Sequence, residues 1–220
     1  VVDFEHCMVG IVTFDDAMEV WQDEVEEDMS MMAAMQPNEE SYFGTSVISH
    51  AKHRILWLLF LMLSATITGA IITKYENAFQ TLPLLVSFIP MLMDTGGNCG
   101  SQSSTLIIRG IAVDEIRFHD LFKVVFKEIR VALIVGVLLA IVNGVRVYLM
   151  YDQDLTLAIA IGITMIAIVC MAKCVGCTLP LLAKKIGLDP AIMAAPLITT
   201  LVDTCSILIY FNIATHLFSL

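Results

Sequence analysis

Ile55-Leu-Trp-Leu-Leu-Phe-Leu-Met-Leu-Ser-Ala-Thr-Ile-Thr-Gly-Ala-Ile-Ile-Thr73 runs between Arg54 and Lys74 without a charge. A helix of about 20 apolar residues crosses a hydrocarbon core of ~30 Å. A helix also satisfies every backbone polar group internally, which lipid demands. This stretch therefore predicts a membrane span, and four more follow it. Thr81–Ile108 is interrupted by Pro83, Pro90 and Gly96-Gly97 and carries one charge, Asp94. Val131–Tyr151 carries Arg146, and Leu155–Leu182 carries Lys173 and Pro180. Pro190–Leu220 carries Pro196 and Asp203. The expected fold is an all-α membrane protein with five transmembrane helices. Composition agrees: 58% of the chain is hydrophobic and 15% charged, with a mean hydropathy of +0.82. A soluble domain this apolar would expose large patches and aggregate.

Upstream of Ile55 the character reverses. Residues 1–50 hold twelve Asp and Glu and no Lys or Arg, which is −12 of the formal −10; the remainder contributes +2. An acidic head thus precedes the membrane body, and it would repel nucleic acid. Residues 1–13 read as a strand. Thr13 is a candidate N-cap, followed by Asp15, Asp16 and Glu19 at the positive end of a helix. Ala17, Met18, Val20 and Trp21 give that helix an apolar side, and it is expected to reach Gln36 before Pro37 breaks it. A second short segment is expected over Ser41–His50. The opening residues lack the basic and apolar regions of a secretory signal, and the chain opens on Val1, which suggests a piece of a longer one. Of six cysteines, Cys174 and Cys177 have redox-motif spacing but sit in an apolar run, where Cys is commonly a small buried hydrophobe.

Basic residues orient the spans. Lys52 and Arg54 precede the first. Arg109, Arg117, Lys123, Lys127 and Arg130 lie between the second and third, and Lys173, Lys184 and Lys185 lie toward the end of the fourth. Ten of the twelve basic residues share one side; Lys74 and Arg146 fall on the other. The excess marks the cytoplasmic side. The N-terminus is expected there and the C-terminus outside.

Two carboxylates stand where lipid should exclude them. A charge at mid-bilayer costs a few kcal/mol or more and is a functional-site hypothesis by default. Asp94 lies halfway along the second span and Asp203 near the middle of the fifth. Asp94 also suits a local cap at a helix break before Gly96-Gly97. Thr199 and Asp203 are four residues apart and share a helix face; a carboxylate with nearby hydroxyls or carbonyls suits a hard cation. Asp94-Thr-Gly-Gly-Asn-Cys-Gly-Ser-Gln-Ser-Ser-Thr105 is polar and glycine-rich for a membrane helix. It suits a pore lining or a tight helix seam, with Asn98 and Gln102 presenting amides on one face. In the head, Glu24, Glu26, Glu27 and Asp28 form either a solvated face or a sensor that a bound cation lets close.

Pro90-Met-Leu-Met-Asp-Thr-Gly-Gly-Asn-Cys-Gly-Ser-Gln-Ser-Ser-Thr-Leu-Ile-Ile-Arg109-Gly resembles the signature of the MgtE magnesium channel family. Gly187-Leu-Asp-Pro-Ala-Ile-Met-Ala-Ala-Pro-Leu-Ile-Thr-Thr-Leu-Val-Asp203 does so too. Gly10-Ile-Val-Thr-Phe-Asp-Asp-Ala-Met-Glu-Val20 is similar to the end of that family's second CBS domain. The resemblance implies a homodimer with five transmembrane helices per subunit and a pore on the dimer axis lined by the second and fifth. It makes Asp203 the pore carboxylate holding hydrated Mg2+ and Asn98 a pore-lining residue. Thr199 falls at a position whose carbonyl assists, and Ala195 where some members place Asn. A connecting plug helix is implied over roughly Asp23 to His50, with Glu24, Glu27 and Asp28 binding regulatory Mg2+. Thr13 and Asp16 resemble part of a CBS nucleotide-binding pattern.

The implied domains are 1–22, the end of a CBS domain; 23–53, the cytoplasmic plug helix; and 54–220, the transmembrane pore domain. The implied function is Mg2+ uptake down its electrochemical gradient across the cell membrane, gated by cytoplasmic Mg2+, with no enzymatic activity. Mg2+ dehydrates reluctantly, so a wide site contacting it through water suits passage. One alternative is a secondary transporter coupling a divalent cation to H+ or Na+. An intramembrane aspartyl protease is disfavoured, because Asp94 follows Met93 and Asp203 follows Val202 where that class shows Tyr-Asp and Gly-x-Gly-Asp.

Overall fold

The computed structural model describes residues 1, 4–37, 42–75, 83–151 and 154–218. Within them the chain is all-helical. The helices are α1 (Phe14–Met32), α2 (Val47–Lys74), α3 (Ile89–Ala112), α4 (Leu121–Met150), α5 (Leu155–Lys185) and α6 (Ala195–Phe218). Short 3-10 turns at Pro83–Phe88, Phe118–Asp120 and Pro190–Met193 lead into α3, α4 and α6.

The expected strand over 1–13 does not form: no strand lies among the described residues, and Val2 and Asp3 fall outside them. A strand needs a continuous partner edge, and the pairing here stays local: the Val9 amide donates to the Val1 carbonyl at 3.0 Å and the Val1 amine to the Gly10 carbonyl at 2.7 Å, while the Val9 and Ile11 side chains are exposed. The helix after Thr13 does form. The Thr13 hydroxyl accepts from the Asp16 amide at 3.2 Å, and the Asp16 carboxylate accepts from the Thr13 amide at 2.8 Å, a reciprocal cap. It ends at Met32 rather than Gln36, because Ala34 turns left-handed at φ 54. The Gln36 amide then donates to the His53 carbonyl at 3.0 Å, fastening the end of α1 to the start of α2. Part of the expected Ser41–His50 segment, Ser41, lies outside the described residues. Ser46 caps α2, which runs unbroken into the apolar stretch.

α2, α5 and α6 are long and apolar enough to cross a membrane by length and composition. α5 is the hub, packing against α3, α4 and α6. Its Ile161, Ile168, Val169 and Ala172 have no exposed surface. α2 joins through α6, where the Thr68 and Thr204 hydroxyls meet at 2.7 Å. The outward faces of α2 and α4 expose Leu56, Phe60, Leu63, Leu138 and Val142. Such a surface suits lipid and would aggregate in water.

The prolines and glycines act differently from expectation. Thr81 and Leu82 lie outside the described residues. Pro83 opens a 3-10 turn, and Pro90 sits in the first turn of α3, where its missing amide costs nothing. α3 then runs unbroken through Gly96-Gly97, so there is no helix break beside Asp94. The glycines instead admit neighbouring helices. A Cβ on Gly96 would meet Ile168 at 2.8 Å and Val202 at 3.0 Å; one on Gly100 would meet Ile198 at 2.7 Å. One on Gly176 would run into the Gly100 backbone. α5 likewise continues through Pro180. Cys177 is buried and its thiol donates to the Cys174 carbonyl at 3.3 Å, as a packing residue would.

Candidate functional site

α3 and α6 cross where their small residues allow close approach, and this crossing gathers four of the residues singled out by sequence. Ile198, Val202 and Ser206 of α6 are buried, and Val202 and Ser206 face Gly96 of α3. One position further round α6 stands Asp203, half-buried. One turn earlier stands Thr199; a Cβ on Gly97 would lie 3.0 Å from its methyl group. The Thr199 hydroxyl donates to the Pro196 carbonyl at 3.0 Å and is therefore committed to its own helix. Asn98 follows Gly97 and is exposed, as is Asp94 one turn before it. Asp94 lies near enough to Asp203 for their charges to repel. Neither carboxylate has an ion-pair partner among the described residues. Arg146 reaches Met91, one turn from Asp94, but spends its guanidinium on the Met91 sulfur at 3.1 Å and on Asn143 at 3.0 Å.

On the single chain Asp94, Asn98, Gln102 and Thr105 form an open polar stripe along α3. Oxygen donors at hydrogen-bonding reach of water suit a hydrated hard cation. Among the described residues no three His, Cys, Asp or Glu side chains converge into a ready-made cage. The crossing thus offers a polar wall rather than a closed metal centre.

A second acidic group lies at the bundle end to which α1 is docked. α1 packs against the Pro190–Met193 turn. Glu24 and Asp28, one helical turn apart, line a cavity of about 340 Å³ together with Asp189 and Lys184. Burial pushes the Asp28 carboxyl above its ordinary value, and the negative charges of Asp189, Glu24 and Glu27 push it the same way. Glu27 is exposed and adds charge without lining the cavity. Asp189 was not singled out by sequence. The signal was Asp189-Pro190: its carboxylate caps the turn by accepting from the Ala191 amide at 2.7 Å, which fixes it opposite α1.

A third polar group was also missed. Lys173 of α5 and Glu128 of α4 are buried, with nitrogen and oxygen 3.6 Å apart. Ser103 of α3 bridges them, donating to Glu128 at 2.6 Å and accepting from Lys173 at 3.1 Å. Lys173 therefore does not act as a solvent-facing topological charge. Glu128 enters the bundle because α4 begins at Leu121, ahead of the apolar run that starts at Val131.

Residues 89–213, the stretch carrying both α3 and α6, match the MgtE family model, described as a divalent cation transporter. The chain belongs to the MgtE family. It is 35% identical over 97% of its length to the magnesium transporter MgtE of Thermus thermophilus. Identity is 32% over 98% with the magnesium transporter MgtE of Bacillus subtilis, and the same with that of Enterococcus faecalis. The chain covers 47% of each of these MgtE relatives, so it spans about half their length.

Proposed function

We propose that this chain forms the membrane pathway of a Mg2+ channel, with the α3–α6 crossing as its ion-contacting wall. The observation that carries the reading is the open polar stripe beside Asp203. Asp94 and Asn98 lie exposed on a bundle whose outward α2 and α4 faces present Leu56, Leu63, Leu138 and Val142. Lipid cannot cover such a stripe at tolerable cost. A second copy related by a twofold axis covers it and brings two sets of carboxylates to one axis. The assembly is then a homodimer with a pore lined by α3 and α6.

Within that pore Asp203 is the principal ligand, with Asp94, Asn98 and the Thr199 backbone around it. Contact through retained water binds Mg2+ strongly enough to admit it and weakly enough to release it. The negative potential of the paired carboxylates excludes anions. No step makes or breaks a covalent bond, so the chain is read as a transporter and not an enzyme. Five crossings, by α2 through α6, put α1 in the cytoplasm and the C-terminus outside the cell membrane, in accord with the Lys and Arg excess. The proposed division remains 1–22 as a CBS remnant, 23–53 as the plug region and 54–220 as the pore domain. Glu24, Glu27 and Asp28, now with Asp189, form the proposed regulatory Mg2+ site. Bound Mg2+ would offset their mutual repulsion and hold α1 closed on the bundle.

The test is Mg2+ flux into proteoliposomes. Asp203→Ala is expected to reduce flux more than tenfold while its helix content and elution volume match wild type. Wild-type flux in that variant overturns the pore assignment. Net Mg2+ uptake driven by a pH or Na+ gradient alone would instead establish a coupled carrier.

A further inference from the structure

A cavity of about 530 Å³ lies between α3, α4 and α5, at the end of the bundle where α3 passes to α4. It is separate from the α3–α6 crossing and from the pocket under α1. Its charged lining is partly self-satisfied. Asp120 holds Lys123 at 2.9 Å, and at the floor Glu128 holds Lys173. Arg109 and Lys127 remain, with no ion pair or side-chain hydrogen bond among the described residues; Glu115 is the remaining acid. The cavity therefore carries a surplus of positive charge after its internal pairs are counted.

The arrangement of polar and apolar groups is directional. On α3, Leu106 precedes Arg109 by about one turn. On α4, which runs the other way, Val131 follows Lys127 by about one turn. Both cations thus stand at the loop end of the cavity, and both apolar side chains stand deeper along the bundle. Leu106 is 59% exposed and Val131 37%, so the deeper edge opens sideways onto the apolar surface. An anionic group at the loop end with hydrocarbon below it is the polarity of a phospholipid. Basic pockets between membrane helices on the positive side commonly take such headgroups.

We propose that this cavity binds the phosphate of an anionic phospholipid, with Arg109 and Lys127 as its cationic contacts and Leu106 and Val131 flanking the start of its acyl chains. The Lys173–Ser103–Glu128 group forms the floor and orders the three helices that shape the site. This assignment concerns lipid binding alone and stands apart from the reading of ion flux.

The experiment is native mass spectrometry of the purified full chain in detergent, titrated with phosphatidylglycerol or phosphatidylcholine. Phosphatidylglycerol is expected to bind in preference. Arg109→Gln with Lys127→Gln should weaken it about thirtyfold, the effect of removing two surface cations. Lys52→Gln with Arg54→Gln removes equal charge elsewhere and should leave it unchanged. Leu106→Trp keeps every charge but narrows the mouth, and should also lose the lipid. Equal binding of the two lipids, equal loss in both double variants, or undiminished binding in Leu106→Trp would overturn the proposal. So would millimolar inorganic phosphate displacing the lipid completely, which would mark a soluble phosphate site. Lipid found on monomers and absent from dimers would mark the cavity as a contact between copies.

Discussion

A carboxylate among other carboxylates behaves unlike one in water, and Asp28 illustrates the consequence. Burial and neighbouring negative charge raise its pKa in the docked arrangement. The docked form therefore binds more protons than the free form as pH passes from the ordinary Asp value up to the raised one. Docking is then strongest below that interval and weakens as pH rises through it. In the absence of Mg2+, hydrogen exchange in α1, corrected for intrinsic rate, is expected to speed up across the interval. Asp28→Asn should flatten the dependence and keep α1 docked at neutral pH. An unchanged pH profile in that variant would assign the effect to another group. Added Mg2+ should slow exchange in wild type at neutral pH and have little effect on the variant combining Glu24→Gln, Glu27→Gln and Asp28→Asn. A different constraint acts at Gly176, which leaves no room for a Cβ beside Gly100. Gly176→Ala is expected to destabilise by about 1–3 kcal/mol through overpacking, read as a lower melting temperature in detergent.

At the scale of elements, the three-helix junction of Ser103, Glu128 and Lys173 sets a second expectation. Removing one partner of a buried pair leaves an uncompensated charge and costs about 3–5 kcal/mol, whereas replacing both by apolar residues is often near neutral. Lys173→Met and Glu128→Leu singly should each lower thermal stability in detergent. The double variant should recover most of the loss, and a merely additive double would remove the pairing account. This junction also shows what periodicity could and could not reveal. Apolar runs marked α2, α5 and α6 because lipid-facing and core-facing residues are both apolar, so run length alone carries the signal. The extent of α4 was hidden, since Leu121–Arg130 is charged and looks like a loop until it is seen to bring Glu128 to Lys173. The Gly96-Gly97 pair read as a break because glycine marks either a bend or a close approach, and only the partner helix distinguishes them. Ala34 in a left-handed conformation gave no local sign at all, since alanine favours helix; the turn is held by the Met35 amide on the Ser30 carbonyl at 2.9 Å and by the Gln36 amide on the His53 carbonyl of α2 at 3.0 Å. The four residues at the α3–α6 crossing were legible because polar side chains inside apolar spans are costly; Asp189 was not, because a capping Asp before a proline looks like any turn.

At the scale of the whole molecule, the open stripe on α3 makes a prediction about assembly. With one cysteine introduced at Asn98 in a background lacking the native ones, a bis-maleimide reaching about 10 Å is expected to join two copies. A cysteine at Leu63, on the exposed face of α2, should remain unjoined. Failure of the Asn98 variant to cross-link, with the Leu63 variant succeeding, would move the contact between copies to another face. Helix α1 stands outside this bundle, held near Ala34 and Gln36 and packing on the Pro190–Met193 turn, with Asp28 and Asp189 lining the cavity between them. A helix advances about 1.5 Å per residue, so Asp28 lies roughly 9 Å from that fastening and Phe14 roughly 30 Å. The helix is thus a lever with its fulcrum at one end. A displacement of about 1 Å at Asp28 becomes about 3 Å at Phe14, and force applied to the far end returns to Asp28 multiplied by the same ratio. Anything attached to Val1–Gly10 therefore has the mechanical advantage over the acidic pocket.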